Sequence, residues 1–220
     1  MRINSFDRRV LLGLVCALGM VGASTGCTAK PDVLPSGFLG DGRVYASLKP
    51  NPQHPEMLVY RQKEKPLADY DAFIIPPVKV YLSPQGVKRS RTPAEISELA
   101  QLFRNTVHAA LADRYSITNK PGARVAVLRL ALTDVDPSSA HSEIVPGALL
   151  DGAGLGLAKV EGELIDSVTG EVVAASVVSS KGKRYPFTVG VHTWEHTQGL
   201  LSDWANLLRA RIDQDHGIVE

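Results

Sequence analysis

The chain has 220 residues, 44% of them apolar and 21% charged, and its 24 Lys and Arg against 23 Asp and Glu give a formal net charge of +1. These proportions exclude a disordered chain, a collagen-like repeat and a polytopic membrane protein, and the length suits one folded domain once a targeting segment is removed. A near-neutral charge without a long Lys/Arg run excludes the basic footprint of a nucleic-acid binder.

The chain opens with Arg2, Arg8 and Arg9 against a single acid, Asp7, and residues 10–21 then carry no charge. A membrane-crossing helix needs about 20 apolar residues, so this shorter run reads as the apolar core of a signal peptide over residues 1–26. Arg8 and Arg9 raise the twin-arginine export route, but the residues that flank such a pair are missing, which favours the general secretory route. The small residues Gly22-Ala23-Ser24-Thr25-Gly26 lead into Cys27, a layout like the lipobox of bacterial lipoproteins, with cleavage between Gly26 and Cys27. The Cys27 thiol would then carry a diacylglycerol and its freed amine a third acyl chain, and two or more chains hold a protein on a bilayer without a spanning helix.

Two features keep a rival open. Ser24 stands where lipoboxes usually have Leu, and Cys27-Thr28-Ala29 also suits ordinary signal peptidase, which would release a soluble periplasmic ligand-binding protein. Cys16 lies inside the apolar core, so Cys27 is the only cysteine of the mature chain. A lone thiol in an oxidising compartment is a liability that thioether lipidation removes. Thr28, rather than Asp, after the cysteine favours the outer membrane, and the domain is expected on its periplasmic face.

Ten of the fourteen prolines fall between Pro31 and Pro93, so residues 27–65 read as a lipidated, irregular N-terminal arm. Its Phe38, Leu39, Tyr45, Leu48, Leu58, Val59 and Tyr60 are too many apolar groups for a free tether, and parts of the arm are expected to lie against the domain, residues 66–218. Residues 70–82 are β-branched and aromatic but broken by Pro76-Pro77, which predicts a bent or edge strand. Thr92-Pro93-Ala94-Glu95 is a helix start with a capping box, and Ile96, Leu99, Phe103, Val107, Ala110 and Leu111 share one face of a helix reaching about residue 115.

Residues 124–134 read as a second strand, and residues 157–166 and 171–181 as a hairpin turning at 166–170. A last helix over residues 196–215 would bury Leu200, Leu201, Trp204, Leu207, Leu208 and Ile212. The expected fold is α/β (α+β): one mixed sheet of about four strands with both helices on one face.

In this order the chain resembles the bacterial lipoprotein family catalogued as domain of unknown function 3313. The resemblance rests on Ser36-Gly37-Phe38-Leu39-Gly40-Asp41, Leu48-Lys49-Pro50, Val59-Tyr60-Arg61, the strand over 70–80, Val160-Glu161-Gly162-Glu163-Leu164-Ile165-Asp166 with Thr169-Gly170-Glu171, and Trp204-Ala205. One departure follows Asp41, where the family continues into an aromatic residue and Gly42-Arg43-Val44 here precede Tyr45. The resemblance implies a Gram-negative lipoprotein and no particular activity or cofactor.

Several patterns raise chemistry and are weighed against plainer readings. His192-Thr193-Trp194-Glu195-His196 matches the inverted zinc-protease motif, with His192 and His196 as ligands and Glu195 activating water. That chemistry needs a third ligand, and the only later Glu is Glu220, so a solvated helix entry is the preferred reading and the zinc-dependent hydrolase the alternative. The glycine-rich residues 147–156 are followed by a strand instead of a helix, which argues against a phosphate cradle and for a turn or a docking loop bearing Leu149, Leu150 and Leu155. Asp134, Asp136, His141 and Glu143 read as turn formers before a weak cation site, and Lys181-Gly182-Lys183-Arg184 as a hairpin end before a headgroup contact. No Gly-x-Ser-x-Gly elbow is present. The expected function is therefore an outer-membrane lipoprotein that binds, as an accessory or scaffold part of the cell envelope, with no catalysis, metal or cofactor and an unidentified envelope protein as partner.

Overall fold

The computed structural model describes residues 35–40, 42–54, 56–81, 92–136, 157–181 and 195–218. The arm contributes a one-turn helix α1 (Arg43–Ser47) and two strands, β1 (Lys49–Pro50) and β2 (Met57–Arg61). After a 3-10 turn at Leu67–Asp69 come β3 (Ala72–Ile74) and β4 (Lys79–Val80), helix α2 (Pro93–Ala112), β5 (Ser116–Ile117), β6 (Val125–Asp136), β7 (Leu157–Asp166), β8 (Val172–Lys181) and helix α3 (Glu195–Asp215).

The strands form one mixed sheet in the order β1-β2-β8-β7-β6-β3-β5, with β4 also on β6. β3, β4 and β5 run parallel to their neighbours, and the other pairings are antiparallel. The α/β class with both long helices on one face holds, but the sheet has eight strands where the sequence pattern predicts about four. Two of the additional strands come from the arm and one is the short β5. Pro76-Pro77 does bend the chain: it separates β3 from β4, and both then pair with β6. β3 is not an edge, because β5 lies on its far side.

Alternation along the long strands builds two different faces. Ala126, Leu128, Leu130 and Leu132 of β6 and Val160 and Leu164 of β7 point toward the helices, into a core with Phe73, Phe103, Val107, Leu111, Leu201, Trp204 and Ile212. Thr92 caps α2, its Oγ1 accepting from the Glu95 N–H at 3.2 Å, with Pro93 in the first turn where its missing N–H costs nothing. Leu99, Phe103, Val107 and Leu111 then fall four residues apart and are all buried. The Trp204 ring of α3 meets Phe103 edge-on at 5.3 Å and lies against Gly162 of β7, where an added Cβ would come within 3.2 Å of it.

Hairpin β7–β8 turns on Asp166, whose Oδ1 accepts from the N–H groups of Val168 at 2.9 Å and Thr169 at 2.8 Å, while Gly170 takes a left-handed φ of 74°. Tyr70 donates to the other oxygen at 3.0 Å. The Thr169 N–H leads the groups that hold the Asp166 carboxyl well below the usual carboxylate range.

The opposite sheet face is covered by the arm. Phe38, Leu39, Tyr45, Leu48 and Leu58 form a second buried cluster with Ala131, Ala175 and Val177, as the arm's apolar content requires.

Candidate functional site

The site lies where the arm crosses the sheet. Gly37 (φ 88°) and Gly40 (φ 82°) turn the chain so that Phe38 and Leu39 face inward, and α1 then brings Tyr45 back over the same strands. Beneath it β7 presents Glu161 and Glu163, two residues apart and so on one face. Both are buried, Glu161 completely.

A buried carboxylate requires partners, and the arm provides them for Glu161. Its Oε2 accepts from the Tyr45 hydroxyl at 2.5 Å and from Ser36 Oγ at 2.9 Å, and Lys159 Nζ stands 3.9 Å from Oε1. The Tyr45 oxygen also accepts from the N–H groups of Gly37 at 3.2 Å and Leu39 at 3.3 Å, tying the loop to the ring. Burial, reinforced by the Glu161 carboxylate, pushes the Tyr45 phenol up, so it stays a donor at neutral pH. Tyr45→Phe should therefore weaken the arm's attachment by about 2 kcal/mol. Faster hydrogen exchange at Gly37 and Leu39, with the α2 amides unchanged, checks this outcome.

Glu163 is served from the sheet. Arg129 stands directly opposite it in the β6–β7 register, with Nη1 2.8 Å from Oε1. Phe38 lies over the guanidinium, 5.3 Å from ring centre to Cζ, and packs edge-on against Tyr81. Burial pushes the Glu163 carboxyl up, against the opposing pull of Arg129 and Lys79.

Between arm and sheet runs a cleft of about 800 Å³ whose walls include Arg43, Tyr60, Gln62, Tyr81, Arg129 and Glu163. Gln62 Oε1 is out of solvent there and, like the Oε1 atoms of Glu161 and Glu163, accepts no hydrogen bond from the described residues. Aromatic walls with a few fixed polar groups are the chemistry of a binding site, and among the described residues the lining holds neither His nor Cys.

Gly26 and Cys27, the cleavage and lipidation residues, lie outside the described residues, as do His192, His141, Glu143, Leu149, Leu150, Leu155, Lys183 and Arg184. Glu195 and His196 form part of the first turn of α3, Asp134 and Asp136 belong to the end of β6, and Lys181 ends β8. The structure instead brings together Ser36, Phe38, Glu161 and Glu163, on which the family resemblance partly rests, with Tyr45, which stands where the chain departs from the family pattern, and with Arg129 and Gln62, which no sequence motif singles out. The signal that could have found them is the arm's apolar residues, which must cover some face of the sheet.

No curated protein matches the chain. Among solved structures, two crystal forms of the PelC dodecamer from Paraburkholderia phytofirmans are 20% and 18% identical, covering 74% of this chain and 99% of that one at a TM-score of 0.40. XCC0632 from Xanthomonas campestris is 12% identical, covering 71% of this chain and 94% of that one at a TM-score of 0.39. CT253 from Chlamydia trachomatis is 10% identical, covering 65% of this chain and 98% of that one at a TM-score of 0.41. The family described as protein of unknown function DUF3313 matches residues 34–208, which include the arm from residue 34 onward, both glutamates and Trp204. The chain belongs to the DUF3313 family.

Proposed function

We propose that this protein is a lipoprotein of the outer membrane, anchored through Cys27 on the periplasmic face, whose domain binds as an accessory or scaffold part of the cell envelope and does no catalysis. The observation that carries the reading is the run of small residues Gly22–Gly26 ending in the only cysteine that outlasts signal removal. The cleft under the arm supports binding, since its fixed polar groups and aromatic walls suit a ligand or a partner's side chain. No helix among the described residues is long and apolar enough to cross a membrane.

The intact mass of the mature protein from a Gram-negative host, beside a Cys27→Ala control, tests the anchor. The expected mass is that of residues 27–220 plus a triacyl adduct, absent from the control. A bare mass starting near Lys30 would overturn the anchor and favour the soluble ligand-binding reading. Stoichiometric zinc in untagged protein, lost in His192→Ala, would overturn the non-catalytic reading in favour of a hydrolase using His192, Glu195 and His196.

A further inference from the structure

The arm reaches its first fixed point early. Ser36 follows Cys27 by nine residues, and its hydroxyl is bound to Glu161 near the middle of β7. Nine residues span at most about 30 Å when straight and roughly 17 Å as a random coil. β7 has three strands on either side in the sheet order, so a chain leaving Ser36 must run about 14 Å to clear an edge. The outer surface of the helix layer lies about 15 Å further on, adding the sheet-to-helix spacing to a helix radius. Setting that layer on a bilayer would need the whole tether drawn straight, whereas the arm face reaches the headgroups with a slack one.

The chemistry of the arm face agrees with this. Among the described residues its acids Glu161 and Glu163 are buried beneath the arm, while Arg43 and Lys79 are exposed and Arg129, 36% open, is paired with Glu163. Lys79 belongs to this face because it is the register partner of Ala131, a member of the arm-side cluster. The exposed acid Glu171 at the cleft is paired with Lys65 at 2.6 Å. Tyr81, 37% exposed beside Phe38, adds an amphipathic ring of the kind that settles at headgroup depth.

We propose that the arm-bearing face of the sheet, with Arg43, Lys79 and Tyr81, lies against the anionic headgroups of the bilayer, and that α2 and α3 face away from it. This inference rests on the acylation of Cys27 put forward above. Because an acylated Cys27 has no free thiol, a cysteine introduced elsewhere in the mature chain can be labelled alone. Ser47→Cys on α1 and Asn105→Cys on α2 place a fluorophore at exposed positions of the two layers.

The full-length lipoprotein, its mass checked for the adduct, is reconstituted in vesicles of phosphatidylethanolamine and phosphatidylglycerol that carry a headgroup quencher. Quenching at position 47 should exceed that at position 105 severalfold, because the tether keeps the α1 layer nearer the headgroups. Equal quenching at the two positions in acylated protein, or stronger quenching at 105, would overturn the orientation and leave the anchor standing. Protein without the adduct would overturn both.

Discussion

Replacing Trp204 by alanine should destabilise the domain by about 3–5 kcal/mol, a large share of the ~5–15 kcal/mol that holds a domain together. The indole is 5% exposed and sits where all three parts of the core meet. Its edge contacts Phe103 of α2, and its six-membered ring lies on the one position of β7 without a side chain, Gly162. A gap of that size cannot close, because Leu130 and the sheet backbone are fixed by β-pairing on both sides. The converse substitution tests the same contact: the methyl of Gly162→Ala would meet Trp204 at 3.2 Å and Leu130 at 3.3 Å. Gly162→Ala should therefore cost much less in Trp204→Ala protein than in the parent, a coupling that urea unfolding followed by circular dichroism would measure.

The second large effect is expected at the far ends of the two long helices. Arg209 of α3 donates through Nε to Asp213 at 2.6 Å and through Nη1 to the Ala110 carbonyl and to Asp113, each at 2.5 Å. Its guanidinium also lies over Tyr115, 5.5 Å from the ring centre, and the Tyr115 hydroxyl donates to Asp213 at 2.5 Å. Arg209→Met keeps much of the side-chain volume but leaves the buried Asp213 and the α2 carbonyl short of donors, a loss of about 3 kcal/mol. The contact to the exposed Asp113 adds little to that figure.

Acid titration gives an independent signature. Burial alone pushes the Asp213 carboxyl up, but the Tyr115 hydroxyl and Arg209 outweigh it and hold the group below its ordinary value of 3.8. A depressed carboxylate stabilises the fold at pH above that ordinary value, and the contribution is lost as pH falls through the lowered one. With Arg209 removed, Asp213 should protonate nearer to or above 3.8, so unfolding on acidification should begin at a higher pH. An unchanged acid midpoint would show that Tyr115 and Arg114, whose Nη1 is 3.5 Å from Asp213, suffice without Arg209.

What the sequence makes legible follows from which surfaces meet water. α2 is readable to within a few residues, since Thr92, Pro93 and Glu95 mark its start and its outer side is polar. The β7–β8 hairpin is equally plain, with Asp166 and Gly170 at its turn. β2 is hidden because both its faces are covered: Met57 points to the helices and Leu58 to the arm, so no alternation survives in Met57–Arg61, and the prolines before it suggest irregular chain. β5 is hidden by its length of two residues.

The same cause conceals the cleft. Val160, Gly162 and Leu164 alternating with Glu161 and Glu163 read as an ordinary strand with a wet side, and only the arm's docking turns that side into an interior. Arg129, a single cation in an apolar strand, carries no local mark of its pairing with Glu163, which is set by strand register.

The bond between Tyr45 and Glu161 joins residues 116 apart in sequence, and β2 completes its ladder only with β8. Contacts of such separation form late, after the loop between them has been ordered. The arm leaves the ribosome ahead of the domain, yet it has nowhere to dock until β6, β7 and β8 stand side by side. If the chain is exported N-terminus first, as proposed above, it would therefore stay unfolded through most of its passage, and the arm would be fastened last.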